Sequence, residues 1–189
     1  QGVDDPHDNG SINIDDQGHV WIFVSGRGRA RPGFKYRSTQ PFSVAAFERV
    51  SQEEMTYPQP WFEPGKGWLH LFTKYTKGRE LYWETSKDGR NWNADRQLAG
   101  FGGHYQVSGR LGGKVASFFN YHPGGNVDKR TNLYYVQTEE EMKAQLLDLG
   151  LGDSVLDAGD NRVIEGEQMA QLARALAAME DSLVALERR

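Results

Sequence analysis

Residues 60–75 read PWFEPGKGWLHLFTKY: a short apolar run, a Pro-Gly-Lys-Gly turn, then a second run rich in large side chains. That is the signature of an antiparallel hairpin. The same layout recurs upstream at 11–26, SINIDDQGHVWIFVSG, and downstream at 105–121, YQVSGRLGGKVASFFNY. Gly18, Gly67 and Gly113 mark the three turns, 49 and 46 residues apart. Each hairpin continues into a further alternating run, KYRSTQ (35–40), LYWETS (81–86) and LYYVQT (133–138), with Tyr36, Tyr82 and Tyr134 in equivalent places. A period of roughly 40 to 50 residues built from short strands belongs to β-propeller blades, each a four-stranded antiparallel sheet around a central channel. A sandwich would alternate without this self-similarity.

The expected fold is therefore mainly β: a partial β-propeller of about three four-stranded antiparallel blades over 1–138, with a C-terminal α-helical tail over 139–189. All five Trp, eight Tyr, nine Phe, seven Pro and five His precede residue 139. The composition then changes. In the tail, Met169, Leu172, Leu176, Met179, Leu183 and Leu186 step by three and four, the spacing of a narrow apolar helical seam. The spacing predicts a helix over 163–189 that docks on the propeller or self-associates with a second copy.

Composition narrows the function classes. The 189 residues have a net charge of −4, which argues against a nucleic-acid backbone binder but allows a local basic pocket for an acidic ligand. With no cysteine, there is no disulfide, thiolate nucleophile or Cys-type zinc site. A mean hydropathy of −0.70 and the lack of an apolar run near 18 residues predict no transmembrane helix, and the first ten residues hold no signal-peptide core.

Ser86-Lys87-Asp88-Gly89-Arg90-Asn91-Trp92 is close to an Asp-box, one residue shorter than Ser-x-Asp-x-Gly-x-x-Trp. Its role is structural: the carboxylate caps the amides of a tight turn, Gly supplies positive φ, and Trp packs beneath. His19, beside the turn glycine, and His70, inside an alternating strand, are expected to be structural. Trp21, Trp61, Trp68 and Trp83 are expected between blades.

Antiparallel geometry places residues just before a blade's first strand, and just after its second, on one face. That face collects His7 and Asn9, Arg27 and Arg29, Lys74 and Tyr75, His104 and Tyr105, and Tyr121 and His122, with Arg130 entering from the next strand. Basic, imidazole and phenolic groups around one mouth suit an anionic polysaccharide. β-Elimination beside a uronate needs a base for a weakly acidic C–H, cations for the enolate-like charge, and an acid for the leaving oxygen. In this reading His7 is the base, Tyr75 the acid and Arg27 a carboxylate neutraliser. Asn9, Arg29, Lys74, His104, Tyr105, His122 and Arg130 bind substrate. No cofactor is required, although five histidines and many carboxylates leave room for a structural divalent metal.

The strings PHDNGSI (6–12), SGRGRARPGFKYRS (25–38), LHLFTKYTKGRELYW (69–83), GHYQVS (103–108) and NYHPGGNVDKRTNLYY (120–135) resemble the BNR-repeat, or Asp-box, family of secreted bacterial propellers, which includes ulvan lyases. The resemblance spans nearly all of 1–138 and departs after Thr138. It implies a polysaccharide lyase, a secreted or periplasmic location and a role for His7. It also implies a second histidine where this chain has Arg27. The alternatives are a non-catalytic glycan-binding module, a sialidase-like glycoside hydrolase, and a three-blade chain without activity of its own.

Overall fold

The computed structural model describes residues 9–100, 105–111, 114–129 and 131–138. These belong to the first of two compact units, 1–159; the second, 160–189, lies outside the described residues together with the expected 163–189 helix. Among the described residues no helix is long and apolar enough to cross a membrane.

Among the described residues, eleven strands fall into three antiparallel sheets in chain order. The first sheet is β1 (Gly10–Ile14), β2 (Val20–Val24), β3 (Gly33–Ser38) and β4 (Phe47–Glu53). The second is β5 (Thr56–Glu63), β6 (Gly67–Tyr75), β7 (Arg79–Ser86) and β8 (Arg96–Ala99). The third has β9 (Tyr105–Leu111), β10 (Lys114–Tyr121) and β11 (Thr131–Gln137), with two short 3-10 turns between the last two. Each sheet is a meander of the propeller-blade kind. The four strands expected of every blade are present in the first two, and three are described in the third.

The blades stack through their first strands. Ser11 Oγ donates to the Pro58 carbonyl (2.5 Å) and Asn13 Nδ2 to that of Pro60 (3.1 Å). One interface further on, Gln59 Nε2 donates to the Gln106 carbonyl (3.1 Å) and Trp61 Nε1 to Ser108 Oγ (2.9 Å). All four bonds span 47 residues. The sequence period is thus a physical repeat, with each inner strand tied to its counterpart in the next blade.

Burial follows position in the stack. In β6, Gly67 to Thr73 are all buried, because the second blade has a neighbour on both faces. In β2 only Trp21 and Phe23 are buried, and the alternate side chains Val20, Ile22 and Val24 remain half-exposed. Between the first two blades, Trp21, Phe23, Met55, Trp68 and Phe72 form one apolar cluster. Between the second and third, Leu69, Leu71, Leu81, Trp83, Leu98, Val115 and Phe119 form another. Trp21, Trp68 and Trp83 lie in these cores, and Trp61 packs against the second.

The first interface also encloses charge. Lys35, fully buried, bridges Glu84 (2.5 Å) and Glu53 (2.7 Å), and its ammonium lies 3.7 Å from the Trp92 ring centroid. His70 Nδ1 lies 2.8 Å from the same Glu84 oxygen. Burial, reinforced by Lys35, pushes the His70 pKa well below the ordinary imidazole range. A neutral ring therefore donates Nδ1–H to Glu84. His19 Nδ1 lies 2.8 Å from the Ser38 carbonyl, a second internal structural histidine.

The Ser86–Trp92 turn is built as its composition requires. Asp88 Oδ1 accepts the Asn91 and Arg90 amides (2.7 and 2.8 Å), and Ser86 Oγ accepts the Gly89 amide (2.8 Å). The Asn91 amide is the main reason the Asp88 carboxyl sits at about 2. Gly89 has φ 72°, and a Cβ there would stand 2.6 Å from the Trp21 ring. Only glycine fits that approach.

Candidate functional site

The β6–β7 hairpin carries the centre of the site at its tip. Tyr75 ends β6, Arg79 starts β7, and the two are cross-strand partners. Their side chains consequently share a face, and the half-buried Arg79 guanidinium reaches three groups at once. Nε donates to the Tyr75 hydroxyl (3.3 Å) and Nη1 to the Tyr105 hydroxyl (2.8 Å), with His122 Nδ1 at 3.4 Å from Nη1. Tyr105 begins β9 and His122 follows β10, so Arg79 joins the second blade to the third.

Arginine has no acceptor, so His122 Nδ1 must accept and the neutral ring carries its proton on Nε2. Both tyrosine oxygens accept from Arg79, and each phenol keeps its own O–H to give elsewhere. No acidic side chain among the described residues forms an ion pair with Arg79, and the Nη2 N–H groups take no part in these bonds. Among the described residues, Arg79 is a partly buried cation hydrogen-bonded by phenols and an imidazole, none of which offsets its charge.

Tyr57 completes the aromatic wall. It sits at a bulge in β5 with φ 53°, a left-handed conformation rare for an aromatic residue. The Ser25 hydroxyl oxygen, which accepts its amide at 3.1 Å, and the Gly26 amide bond to Met55 hold the bulge in place. Its ring centroid lies 5.6 Å from that of Tyr105, which lies 5.7 Å from that of His122. Burial, then the neighbouring Tyr105 phenol, push the Tyr57 pKa far up, so its hydroxyl stays protonated.

The expected site residues separate into three groups. Tyr75, Tyr105 and His122 meet at Arg79. Arg29 and Lys74 make ion pairs of their own, and Arg27 and Asn9 make backbone bonds within the first blade. Arg27 pairs through its backbone with Arg31 (2.6 Å), which shapes a loop whose Gly28, at φ 64°, packs against Tyr75. Arg29 Nε binds Glu54 (3.2 Å), and the other oxygen of that carboxylate accepts the Tyr75 amide (2.9 Å). Asn9 contributes a backbone carbonyl to Ser25 (3.0 Å). Lys74 neighbours Tyr75 on the strand and so takes the opposite sheet face. There it pairs with Asp95 (2.7 Å) beside the Tyr82 ring. His7, His104 and Arg130 lie outside the described residues.

Sequence reasoning did not pick out Arg79 or Tyr57. Arg79 could have been found from the Tyr-Thr-Lys-Gly-Arg spacing, since a tight turn there makes Tyr75 and Arg79 cross-strand neighbours. Tyr57 had no such signal, because its direction depends on the bulge. Among the described residues, no three His, Asp or Glu side chains are grouped as metal ligands.

No family model matches the sequence, and no curated protein matches it. Among solved structures, the chain is similar to an ulvan lyase of polysaccharide lyase family PL25 bound to -[GlcA(1-4)Rha3S]-, with a TM-score of 0.64 and 16% identity. A further PL25 ulvan lyase structure gives 0.63 and 17%. The fold is shared. Both likenesses cover 81% of this chain and 44% of the lyase, so the chain spans less than half the length of those proteins.

Proposed function

We propose that this chain is part of a polysaccharide lyase that cleaves a uronic-acid-containing polymer by β-elimination. The observation that carries the reading is Arg79: a cation without an acidic partner among the described residues, fixed between two phenols and an imidazole from two blades. A uronate carboxylate supplies the missing anion through charge-assisted hydrogen bonds. The likeness to ulvan lyases, one of them holding a glucuronate–rhamnose-sulfate oligosaccharide, favours that substrate class.

In the reaction, a base takes the proton from the carbon beside the carboxylate, and the C–H electrons form the new carbon–carbon double bond. The glycosidic oxygen leaves from the next carbon with the C–O electrons and takes a proton from an acid. Arg79 stabilises the enolate-like charge that builds on the carboxylate. Tyr75 is the acid, its oxygen held in place by the Arg79 guanidinium. Tyr105 and His122 position the sugar, and His7 is assigned as base from its sequence position. The chemistry assigned to the protein's own residues calls for no cofactor. A secreted or periplasmic location and an anionic polysaccharide partner follow from the same reading.

The test is ultraviolet detection of the unsaturated uronate product when the protein meets glucuronate–rhamnose-sulfate polymer and other uronic polymers. Product that disappears in Arg79→Ala supports the reading. Saturable binding without product across the panel supports a glycan-binding module instead.

A further inference from the structure

The end of β6 remote from Tyr75 opens onto a different cleft, of about 370 Å³, between the first two blades. It is lined by the β1–β2 turn (Asp15, Asp16, Gln17), the β5–β6 turn (Gly65, Lys66, Gly67) and the Asp-box loop (Lys87, Asp88, Arg90). Nine strand residues separate Gly67 from Tyr75 inclusive, so the cleft lies about 25 Å from the Arg79 cluster. It is a separate place on the molecule.

Several of its charged groups are already engaged. Asp15 accepts the Gln17 and His19 amides and the Trp21 indole N–H, and Asp88 is saturated by its own turn. Arg37 and Arg90 both reach Glu48. Two groups remain uncommitted. Lys87 bonds only the Lys66 carbonyl (3.2 Å) and has no acidic partner among the described residues; the exposed Asp16 carboxylate takes no hydrogen bond there.

Outside the cleft lining, on Gly18 next to the cleft residue Gln17, stands an aromatic platform. Phe42 donates its amide to the Gly18 carbonyl (2.7 Å) and is held at φ 53°, a strained backbone for a large side chain. Its ring lies so close over Gly18 that a Cβ there would stand 2.4 Å from it, yet the residue is 86% exposed. One ring face is seated on the glycine of the β1–β2 turn and the other meets solvent. Packing of the fold does not require that exposure, whereas a sugar ring stacked on the open face would cover it.

We propose that this cleft is a second, non-catalytic binding site for an anionic saccharide unit. Phe42 stacks on the apolar face of one sugar, Lys87 takes its sulfate or carboxylate, and Asp16 and Gln17 receive its hydroxyls. The substrate class rests on the function proposed above, but the site does not depend on turnover, and binding alone can test it. On a long polymer it would hold chain away from the cleaving end.

The experiment titrates Arg79→Ala protein, in which the first site is disabled, with a glucuronate–rhamnose-sulfate oligosaccharide while amide resonances of Gln17, Gly18 and Lys87 are followed. Saturable shifts of all three are expected. Adding Phe42→Ala or Lys87→Ala should weaken the affinity about tenfold each, with melting temperatures retained. Absent shifts, or affinity unchanged in both variants, would overturn the proposal. Inorganic sulfate alone reproducing the affinity, with Phe42→Ala silent, would reduce the cleft to an anion hole and overturn the saccharide assignment. Absence of lyase product with these shifts intact would count against the first site alone.

Discussion

One hairpin, β6–β7, holds two clusters of similar chemistry with opposite outcomes. In its middle, His70, Lys35 and Glu84 lie between blades with an acid for every cation and almost no exposure. At its tip, His122, Arg79, Tyr75 and Tyr105 again join an imidazole to a cation, but phenols take the place of the acid. Burial does not separate them, since His122 is 1% exposed and His70 is fully covered. Compensation does. A closed charge set stabilises one arrangement of two blades, while a cation lacking its anion is a place for an anionic ligand.

The largest effect expected from breaking this contrast is at Lys35. Lys35→Met leaves Glu84 and Glu53 without their buried cation and should cost about 3–5 kcal/mol in denaturant unfolding, because an unpaired charge stays behind. A companion Glu84→Gln should recover part of that loss. Arg79→Ala should do the reverse: product formation falls about 10²–10³-fold in kcat/KM while the unfolding midpoint holds, since no acid among the described residues is orphaned. A collapse of stability in Arg79→Ala would show that the tip cluster is structural as well.

Tyrosine substitutions sharpen the comparison within the tip. Tyr75→Phe should lower kcat about hundredfold as the leaving oxygen loses its acid, and Tyr105→Phe should act mainly on KM. The opposite pattern would transfer the acid role to Tyr105. The smallest effect concerns acid stability at the Asp-box turn. The folded Asp88 carboxyl sits at about 2 against an ordinary 3.8, so its contribution is complete above about pH 4 and is lost as pH falls through 2. Asp88→Ala should flatten that part of a pH-stability curve and leave activity near neutrality unchanged.

Much of this was legible because a propeller writes local rules repeatedly. The turn glycines, the equivalent tyrosines and the Ser86–Trp92 loop depend on residues close in sequence, and their physics is that of a hairpin. The face shared by Tyr75, Tyr105 and His122 was also legible, as strand polarity alone puts them at one end of their blades. Lys74 stands at that same end of β6, but the two-residue period of a strand turns its side chain to the other face of the sheet, where it pairs with Asp95.

What the chain determines by itself is therefore the blade: its strands, turns and period, all set by alternation and by residues that tolerate tight turns. What the tertiary structure decided is which charges are answered. Lys35 finds Glu84 49 residues away, Arg79 finds Tyr105 and His122 across a blade boundary, and Tyr57 is aimed by a bulge. The reason is physical. A charge is compensated by whatever packing brings within a few ångströms, and that distance is set between blades rather than along the strand.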